Sequence, residues 1–165
     1  MAQTYTSAGT SINARRLPAV YKRIPVRAGG TLFDLGCGKY TDHIRASVPG
    51  IEYLPYDPYN QPDEVNNGSL AGLVNAIRSG RPVDVVCSNV LNVIDDDAEL
   101  WNTTGWIHEI IRATGGTGYV TVYEGDRSGI GRQTGPDQYQ RNEPLRNYLR
   151  FFPGAVIKRG MIVIG

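Results

Sequence analysis

Short apolar runs alternate with segments of helical periodicity along most of this chain, and that alternation restricts the fold more than any other feature. The runs at residues 31–36, 51–56, 83–88 and 119–123 are rich in aliphatic and aromatic side chains, as buried strands are. Strands that alternate with helices form parallel sheets, because a parallel neighbour needs a crossover connection. The sequence therefore predicts an α/β fold with a mostly parallel sheet and helices on both faces.

Apolar side chains three or four positions apart mark the helices. They are expected within residues 17–24, 40–48, 70–77, 100–111 and 145–149. A polar loop is expected over residues 60–68. Two final apolar runs, at residues 155–157 and 161–164, are separated by three residues and can pair only as an antiparallel hairpin.

Composition excludes several classes of protein. No apolar run approaches the roughly 18 residues that a membrane helix needs, so no membrane partner is expected. The polar first residues lack the pattern of a secretory signal, which predicts a cytoplasmic protein. Two cysteines, Cys37 and Cys87, do not make a disulfide scaffold. The two histidines, His43 and His108, have no close cysteine or histidine neighbours, so no metal site is expected.

Charge is distributed unevenly although the whole chain carries a net charge of only +1. Residues 1–33, 34–126 and 127–165 carry net charges of +5, −9 and +5. If both ends of the chain lie on one side of the fold, they form a positive rim suited to a polyanionic partner. The alternative is a scatter of solvated charges.

A glycine loop follows the first predicted strand. Gly36 and Gly38 open the next helix, where a ligand approaches the backbone closely and free amides favour an anionic group. Asp57 ends the second strand, and a carboxylate there can accept both hydroxyls of a ribose. Thr41 stands where a dinucleotide motif has its third glycine, so a nicotinamide cofactor is disfavoured.

The segment Asp34-Leu-Gly36-Cys37-Gly38 resembles the nucleotide-binding loop of class I S-adenosylmethionine-dependent methyltransferases, whose Rossmann-like sheet also ends in a hairpin with one antiparallel strand. The resemblance implies that Gly36, Cys37 and Gly38 lie against the methionine end of the cofactor, with Asp34 near its amino group. Asp57 would bind the ribose hydroxyls.

The same resemblance extends to other segments. It implies that Pro58 and Tyr59 flank the adenine, and that Ser88 and Asn89 pass beneath the sulfonium and border the methyl acceptor. The family's usual third strand and its helix are missing, so the sheet is expected to have six strands. Tyr40 replaces a small residue common in the family loop and is expected to narrow the pocket or to lie over the ligand.

The resemblance also sets the expected domain organisation. We expect one methyltransferase-like domain over residues 1–165, with an N-terminal helical cover at 1–27 and a cofactor-binding core at 28–165. Residues 11–18, 88–94 and 123–126 are similar to segments of small phage or prophage methyltransferase-like proteins. A phage protein of this kind would act in the host cytoplasm.

Methyl transfer from a sulfonium depends mainly on aligning the nucleophile and excluding water. Polar side chains that follow the third and fourth predicted strands are the candidates for catalysis, namely Asn89, Tyr123 and Glu124. Glu124 has the best position for a general base. Its alternative role is an ion pair with an arginine of the segment that follows it.

Residues 125–142 form a long polar segment rich in hydrogen-bond donors, of the kind that acts as a lid or a substrate clamp. Arg127, Arg132 and Arg141 are candidates for holding phosphates, and Tyr139 for stacking on a base. The alternative is a mobile, solvated loop. The expected function is therefore an S-adenosylmethionine-dependent methyltransferase with nucleic acid as the favoured acceptor class. The alternatives are an inactive methyltransferase-like binding module and an enzyme that cleaves the cofactor.

Overall fold

The structure is a computed structural model that describes residues 4–6, 15–25 and 27–165, and it has an α/β architecture. Four strands lie side by side in parallel at the centre of the main sheet. They are β1 (Thr31–Leu35), β2 (Glu52–Tyr56), β3 (Val83–Ser88) and β4 (Gly118–Thr121).

Three α-helices and three 3-10 helices connect or flank these strands among the described residues. The α-helices are α1 (Asp42–Ser47), α2 (Asp63–Arg78) and α3 (Asp97–Thr114). The 3-10 helices span Ala19–Lys22, Leu91–Val93 and Leu145–Phe151. No helix in the described part of the chain is both long enough and apolar enough to cross a bilayer.

Two antiparallel hairpins complete the fold. The first is separate from the main sheet and consists of β5 (Arg132–Gly135) and β6 (Gln138–Gln140). The second consists of β7 (Val156–Lys158) and β8 (Met161–Ile164), joined by a turn in which Arg159 and Gly160 have φ angles of 53° and 70°. Positive φ at both turn residues matches the twist of the flanking strands.

Among the described residues, the main sheet has six strands in the order β2-β1-β3-β4-β8-β7. Only β8 runs against its neighbours, since it pairs antiparallel with both β4 and β7. This confirms the mostly parallel sheet with a terminal hairpin, and a single helix, α2, lies between β2 and β3. The strand order reverses between β1 and β3, which places a cleft at the carboxyl ends of these strands.

The predicted polar loop over residues 60–68 is wrong, because α2 begins at Asp63. Pro62 precedes the helix, and Asp63 and Glu64 occupy its first turn, where the helix dipole favours acids. Asn66 and Ser69 are buried polar residues that hydrogen-bond the backbone at the end of β2. They lack the apolar character by which the helix was predicted.

Each face of the main sheet has its own apolar core. Helices α2 and α3 and the 3-10 helix at Leu145–Phe151 cover one face and bury Phe33, Val85 and Val120. Helix α1 and the 3-10 helix at Ala19–Lys22 cover the other face. The N-terminal cover predicted for residues 1–27 is described only in part, because residues 1–3, 7–14 and 26 lie outside the described residues.

Candidate functional site

The glycine loop connects β1 to α1 at the carboxyl edge of the sheet. Gly36 has a φ of 76°, and a Cβ atom there would lie 2.3 Å from Cγ2 of Val90. A side chain at this position is therefore excluded by both backbone conformation and packing. The amides of Gly36 and Cys37 donate to the carbonyl oxygen of Tyr56, at 2.7 and 3.3 Å. The predicted free amides for an anionic group are thus already paired, because β2 lies directly beside the loop.

Asp57 joins the glycine loop to the end of β2. Its Oδ2 accepts a hydrogen bond from the Gly38 amide at 3.0 Å, so the two predicted halves of the site are in direct contact. Oδ1 accepts from the amides of Tyr59 and Asn60, both at 3.0 Å. The side-chain Nδ2 of Asn60 lies 3.1 Å from each oxygen. A ribose can reach this carboxylate only by replacing the amide group of Asn60.

Asp34 lies near the end of β1 and is 2% exposed. The hydroxyl of Tyr53 donates to its Oδ2 at 2.5 Å. Burial raises the pKa of Asp34 to about 6, and nearby tyrosine hydroxyls offset part of that effect. Tyr21 also faces Asp34, yet its buried hydroxyl has no hydrogen-bond partner of normal geometry among the described residues. No Lys or Arg of the described chain forms an ion pair with Asp34.

Two cavities open at this edge, one on each side of the glycine loop. Cavity A has a volume of about 280 Å³ and lies on the α3 side. Its walls include Asp57, Pro58, Tyr59, Val90 and Trp106. The ring of Trp106 packs edge-on against those of Phe33 and Tyr56, at centroid distances of 5.3 and 5.2 Å. Cavity A is therefore largely apolar, with the carboxylates of Asp57 and Glu99 in its wall.

Cavity B has a volume of about 720 Å³ and lies on the opposite face, under the 3-10 helix at Ala19–Lys22. Asp34 and Cys37 are at its base, and Gly36 and Val93 line both cavities. Burial raises the pKa of the Cys37 thiol, so this cysteine is a neutral wall rather than a nucleophile. Gly36 and Val93 therefore lie between the two cavities.

The end of β3 contributes Ser88 and Asn89 to cavity B. Ser88 Oγ accepts a hydrogen bond from the Thr121 hydroxyl at 3.0 Å. Asn89 has a φ of 58°, which is uncommon for a residue with a side chain, and it is exposed. Its side chain makes no hydrogen bond to another described residue. It is therefore available to a ligand in the cavity.

Tyr123 and Glu124 follow β4, which ends at Thr121 rather than at residue 123. Tyr123 is 64% exposed and lines cavity B. Glu124 lines neither cavity: its Oε2 accepts from Arg127 at 2.6 Å and its Oε1 from the Leu145 amide at 2.6 Å. The Leu145 amide, followed by Arg127, holds the pKa of Glu124 below its usual value. Glu124 thus makes the ion pair that was given as its alternative role, and its part as a general base stays a prediction.

The long segment after β4 contains the β5–β6 hairpin rather than a featureless loop. Thr134, Gln138, Tyr139 and Gln140 of this hairpin line cavity B. The ring of Tyr139 is stacked on Tyr5 with a centroid distance of 5.7 Å. One face of Tyr139 is therefore covered by the protein itself and cannot stack on a base.

The three arginines predicted to hold phosphates do not converge. Arg127 is paired with Glu124, and Arg132 is exposed and lies 3.8 Å from Asp126. Arg141 is buried, where its Nε donates to the Ile94 carbonyl at 2.5 Å and its guanidinium pairs with Asp97 at 2.7 Å. Arg141 is thus a structural residue, and neither Arg127 nor Arg132 lines a cavity.

Helix α3 supplies a wall of cavity A that the sequence analysis missed. Its contributing residues share one helical face because they are spaced by three or four positions. They are Glu99, Asn102, Thr103 and Trp106. The spacing is a signal present in the sequence, but three of the four side chains are polar, so apolar periodicity does not mark this face.

Among the described residues, no group of three or more His, Cys, Asp or Glu side chains is placed to hold a metal ion. Both cysteines are free and buried. Comparison of the chain with protein-family models gives no match, and comparison with curated proteins gives none either.

Proposed function

We propose that this chain binds S-adenosylmethionine in the cleft formed by cavities A and B and transfers its methyl group to an acceptor in cavity B. The observation that carries the proposal is the carboxylate of Asp34. It is buried beside a cavity, its pKa is raised to about 6, and no described cation pairs with it. A buried carboxylate of this kind favours a cationic ligand, because a positive charge offsets its desolvation.

The backbone of the glycine loop supports the same choice of ligand. The amides of Gly36, Cys37 and Gly38 are occupied by Tyr56 and Asp57, so these three residues offer no N–H group to a phosphate. A dinucleotide would bring its phosphates between the carboxylates of Asp34 and Asp57. A sulfonium nucleoside carries positive charge on its sulfur and its amino group, so the same carboxylates attract it.

The described residues fit the parts of this cofactor. Cavity A is large enough for an adenine, which would lie against Pro58, Tyr59 and Trp106. Asp57 would bind the ribose hydroxyls after the amide of Asn60 turns away, and Asp34 would bind the ammonium group. The chain of atoms between the adenine and the methionine end would pass along Gly36 and Val93, which line both cavities.

The bound cofactor supplies a methyl group on a positively charged sulfur. Residues of cavity B orient the acceptor and exclude water from an in-line displacement. Asn89 can accept or donate a hydrogen bond at the end of β3, and the Tyr123 hydroxyl can do so at the end of β4. Because Glu124 is held in an ion pair, we propose no general base. Asn89 and Tyr123 position an acceptor atom that has a free lone pair and therefore needs no deprotonation before it attacks the methyl group.

Calorimetry with S-adenosylmethionine tests the proposal. We expect Asp34→Asn to weaken binding roughly 10- to 100-fold at about pH 7.5, where Asp34 is ionised, because a charged hydrogen bond is lost. Asp84→Asn is the matched control: Asp84 is also buried, but it is near the amino end of β3 and binds the Thr117 amide. Absence of binding to the unaltered chain, or an equal loss in both variants, would contradict the proposal.

Turnover distinguishes methyl transfer from the alternatives. We expect labelled methyl groups to appear in an acceptor fraction of RNA, DNA or protein. Binding without any turnover indicates a methyltransferase-like binding module instead. Release of methylthioadenosine without an acceptor indicates cleavage of the cofactor.

A further inference from the structure

We propose that the methyl acceptor is a single-stranded polynucleotide, with a base in cavity B and phosphates on a cationic rim around that cavity. This inference rests on the proposed function, because it names the acceptor for the same site. The cationic rim consists of five exposed side chains that the fold brings to the carboxyl edge of the sheet: Arg15, Arg16, Lys22, Arg23 and Arg159.

Both basic ends of the chain contribute to the cationic rim. Arg16 and Lys22 line cavity B directly. Nη1 of Arg23 donates to the carbonyl oxygen of Arg159 at 3.2 Å, which joins the first basic segment to the last. Arg159 is at this edge because β8 runs antiparallel to β4, so the β7–β8 turn lies beyond the carboxyl end of β4. The basic residues near the two ends of the sequence therefore lie together on one surface of the fold.

Basic side chains outnumber acidic ones in the wall of cavity B. Of the residues that line cavity B, only Asp34 is acidic, and it is buried at the base. The acidic turn at residues 95–97 begins α3, which packs on the opposite face of the sheet. The mouth of cavity B is therefore positive where an acceptor enters, and a polyanion is attracted to it.

Aromatic rings at the mouth of cavity B favour a nucleotide over other anions. Tyr123 is 64% exposed, and Tyr40 has an exposed fraction of 36%. The guanidinium of Arg15 lies 4.7 Å from the Tyr40 ring centroid. Rings and guanidinium planes of this kind stack on unpaired bases. An acidic peptide would use the cations but would have no need of exposed tyrosines.

The interior of cavity B has polar groups for the edge of a base. Asn89 and Gln138 carry amides and line this cavity. The volume of about 720 Å³ exceeds what the methionine end of the cofactor requires. A base that leaves its strand can therefore enter beside the methyl group.

Fluorescence anisotropy with labelled single-stranded DNA and RNA oligonucleotides of about 12 nucleotides tests this inference on the whole chain without cofactor. We expect binding that weakens between about 50 and 200 mM salt. Arg16→Gln with Lys22→Gln should reduce the slope of log K against log salt by about 1.4, since two phosphate contacts are lost. Arg78→Gln with Arg112→Gln removes equal charge from the far ends of α2 and α3 and should leave the slope unchanged.

A second pair of variants tests stacking. Tyr123→Leu should weaken oligonucleotide binding roughly 5- to 150-fold, because a stacking ring is replaced by an aliphatic side chain. Trp101→Leu is the control, since Trp101 is 55% exposed but lines neither cavity. The choice between RNA and DNA follows from which oligonucleotide binds more tightly.

Three results would overturn the inference: no oligonucleotide binding by the unaltered chain, equal losses in test and control variants, or equal affinity for a polyglutamate peptide of the same charge. Cofactor calorimetry keeps the two proposals separate. Oligonucleotide binding without cofactor binding contradicts the proposed function and leaves a nucleic-acid surface. Cofactor binding without oligonucleotide binding contradicts only the acceptor class.

Discussion

Asp34 and Asp57 are buried carboxylates at the same edge of the sheet, but their surroundings give them different roles. Asp57 accepts hydrogen bonds from three backbone amides and from the Asn60 side chain. Asp34 has one hydrogen bond, from Tyr53, and no described cation beside it. Asp57 therefore stabilises the folded conformation of the loop. A cationic ligand would instead stabilise the ionised form of Asp34.

Asp34 makes stability depend on pH. Its pKa is raised from 3.8 to about 6 in the folded chain, so between these values the folded state holds a proton that the unfolded state has lost. Stability from this group is present at low pH and declines by about 3 kcal/mol as pH rises through that window. Asp34→Asn should remove the decline, as measured by urea unfolding at a series of pH values.

Tyr53→Phe extends this test. Removing the hydroxyl that donates to Asp34 should raise the pKa of the carboxyl further. The decline of stability with pH should then continue above about pH 6. If the free-energy difference between the unaltered chain and Asp34→Asn stays constant with pH, the buried carboxylate does not have the raised pKa described here.

The effect of close packing at Gly36 on stability can be measured separately from the effect of its positive φ. Gly50 has a φ of 74°, close to the 76° of Gly36, but has no atom within 4 Å of its added Cβ. Gly50→Ala should cost about 1 kcal/mol for the conformation alone. Gly36→Ala should cost a further 1–3 kcal/mol, roughly, because its Cβ meets Val90. Equal losses in denaturant unfolding would show that Val90 moves aside.

At the scale of elements, the β5–β6 hairpin is held to the core by buried polar side chains. Asn92 Nδ2 donates to Gln140 Oε1 at 3.1 Å, and Gln140 Nε2 donates to the Tyr123 carbonyl at 2.8 Å. The next residue, Arg141, ties the end of the hairpin to the turn before α3. The hairpin is therefore an integral wall of cavity B.

Arg141 and Arg127 should differ sharply on substitution. Arg141→Gln should destabilise the chain by about 3 kcal/mol, because it removes the charged donor to the Ile94 carbonyl together with the ion pair to Asp97. Arg127→Gln breaks only an exposed pair with Glu124 and should cost about 0.2–1 kcal/mol. Urea unfolding of both variants measures the contrast. Similar losses would mean that Arg141 is not an anchor.

At the scale of the whole molecule, the sheet separates two sets of helices and two cavities of different character. Cavity A lies beside α3 and its acidic first turn, and cavity B lies beside the basic N-terminal 3-10 helix. A ligand that spans Gly36 contacts both layers of the fold. Binding of such a ligand therefore stabilises the whole molecule rather than one loop.

Thermal unfolding should report this coupling. S-adenosylmethionine at about 100 times its Kd should stabilise the chain by about 2.7 kcal/mol, which corresponds to a rise in Tm of roughly 5–10 °C for a chain of this length. NAD should cause no rise, because the amides of Gly36, Cys37 and Gly38 are paired within the protein and the carboxylates of Asp34 and Asp57 repel its phosphates. If NAD raises the Tm as much as S-adenosylmethionine does, the carboxylates of Asp34 and Asp57 do not select a cationic ligand over one that carries phosphates.

The elements could be predicted from the sequence wherever apolar periodicity marks them. Residues 83–88 form β3 as predicted, and the hairpin of β7 and β8 forms around the turn at Arg159 and Gly160. The start of α2 could not be predicted in the same way. Asn66 and Ser69 are buried by hydrogen bonds to β2, and such bonds leave no apolar signal.

The sequence by itself determined the order of the main-sheet strands and of the helices between them, and with it the placement of Asp34, Gly36 and Asp57 at one edge, because local periodicity reports which residues are buried. Only the tertiary structure decided which polar groups are free. Arg141 meets Ile94 and Asp97 across more than 40 positions of chain, and Arg23 meets Arg159 across 136. Contacts over such separations depend on how the layers pack, and no local pattern encodes them.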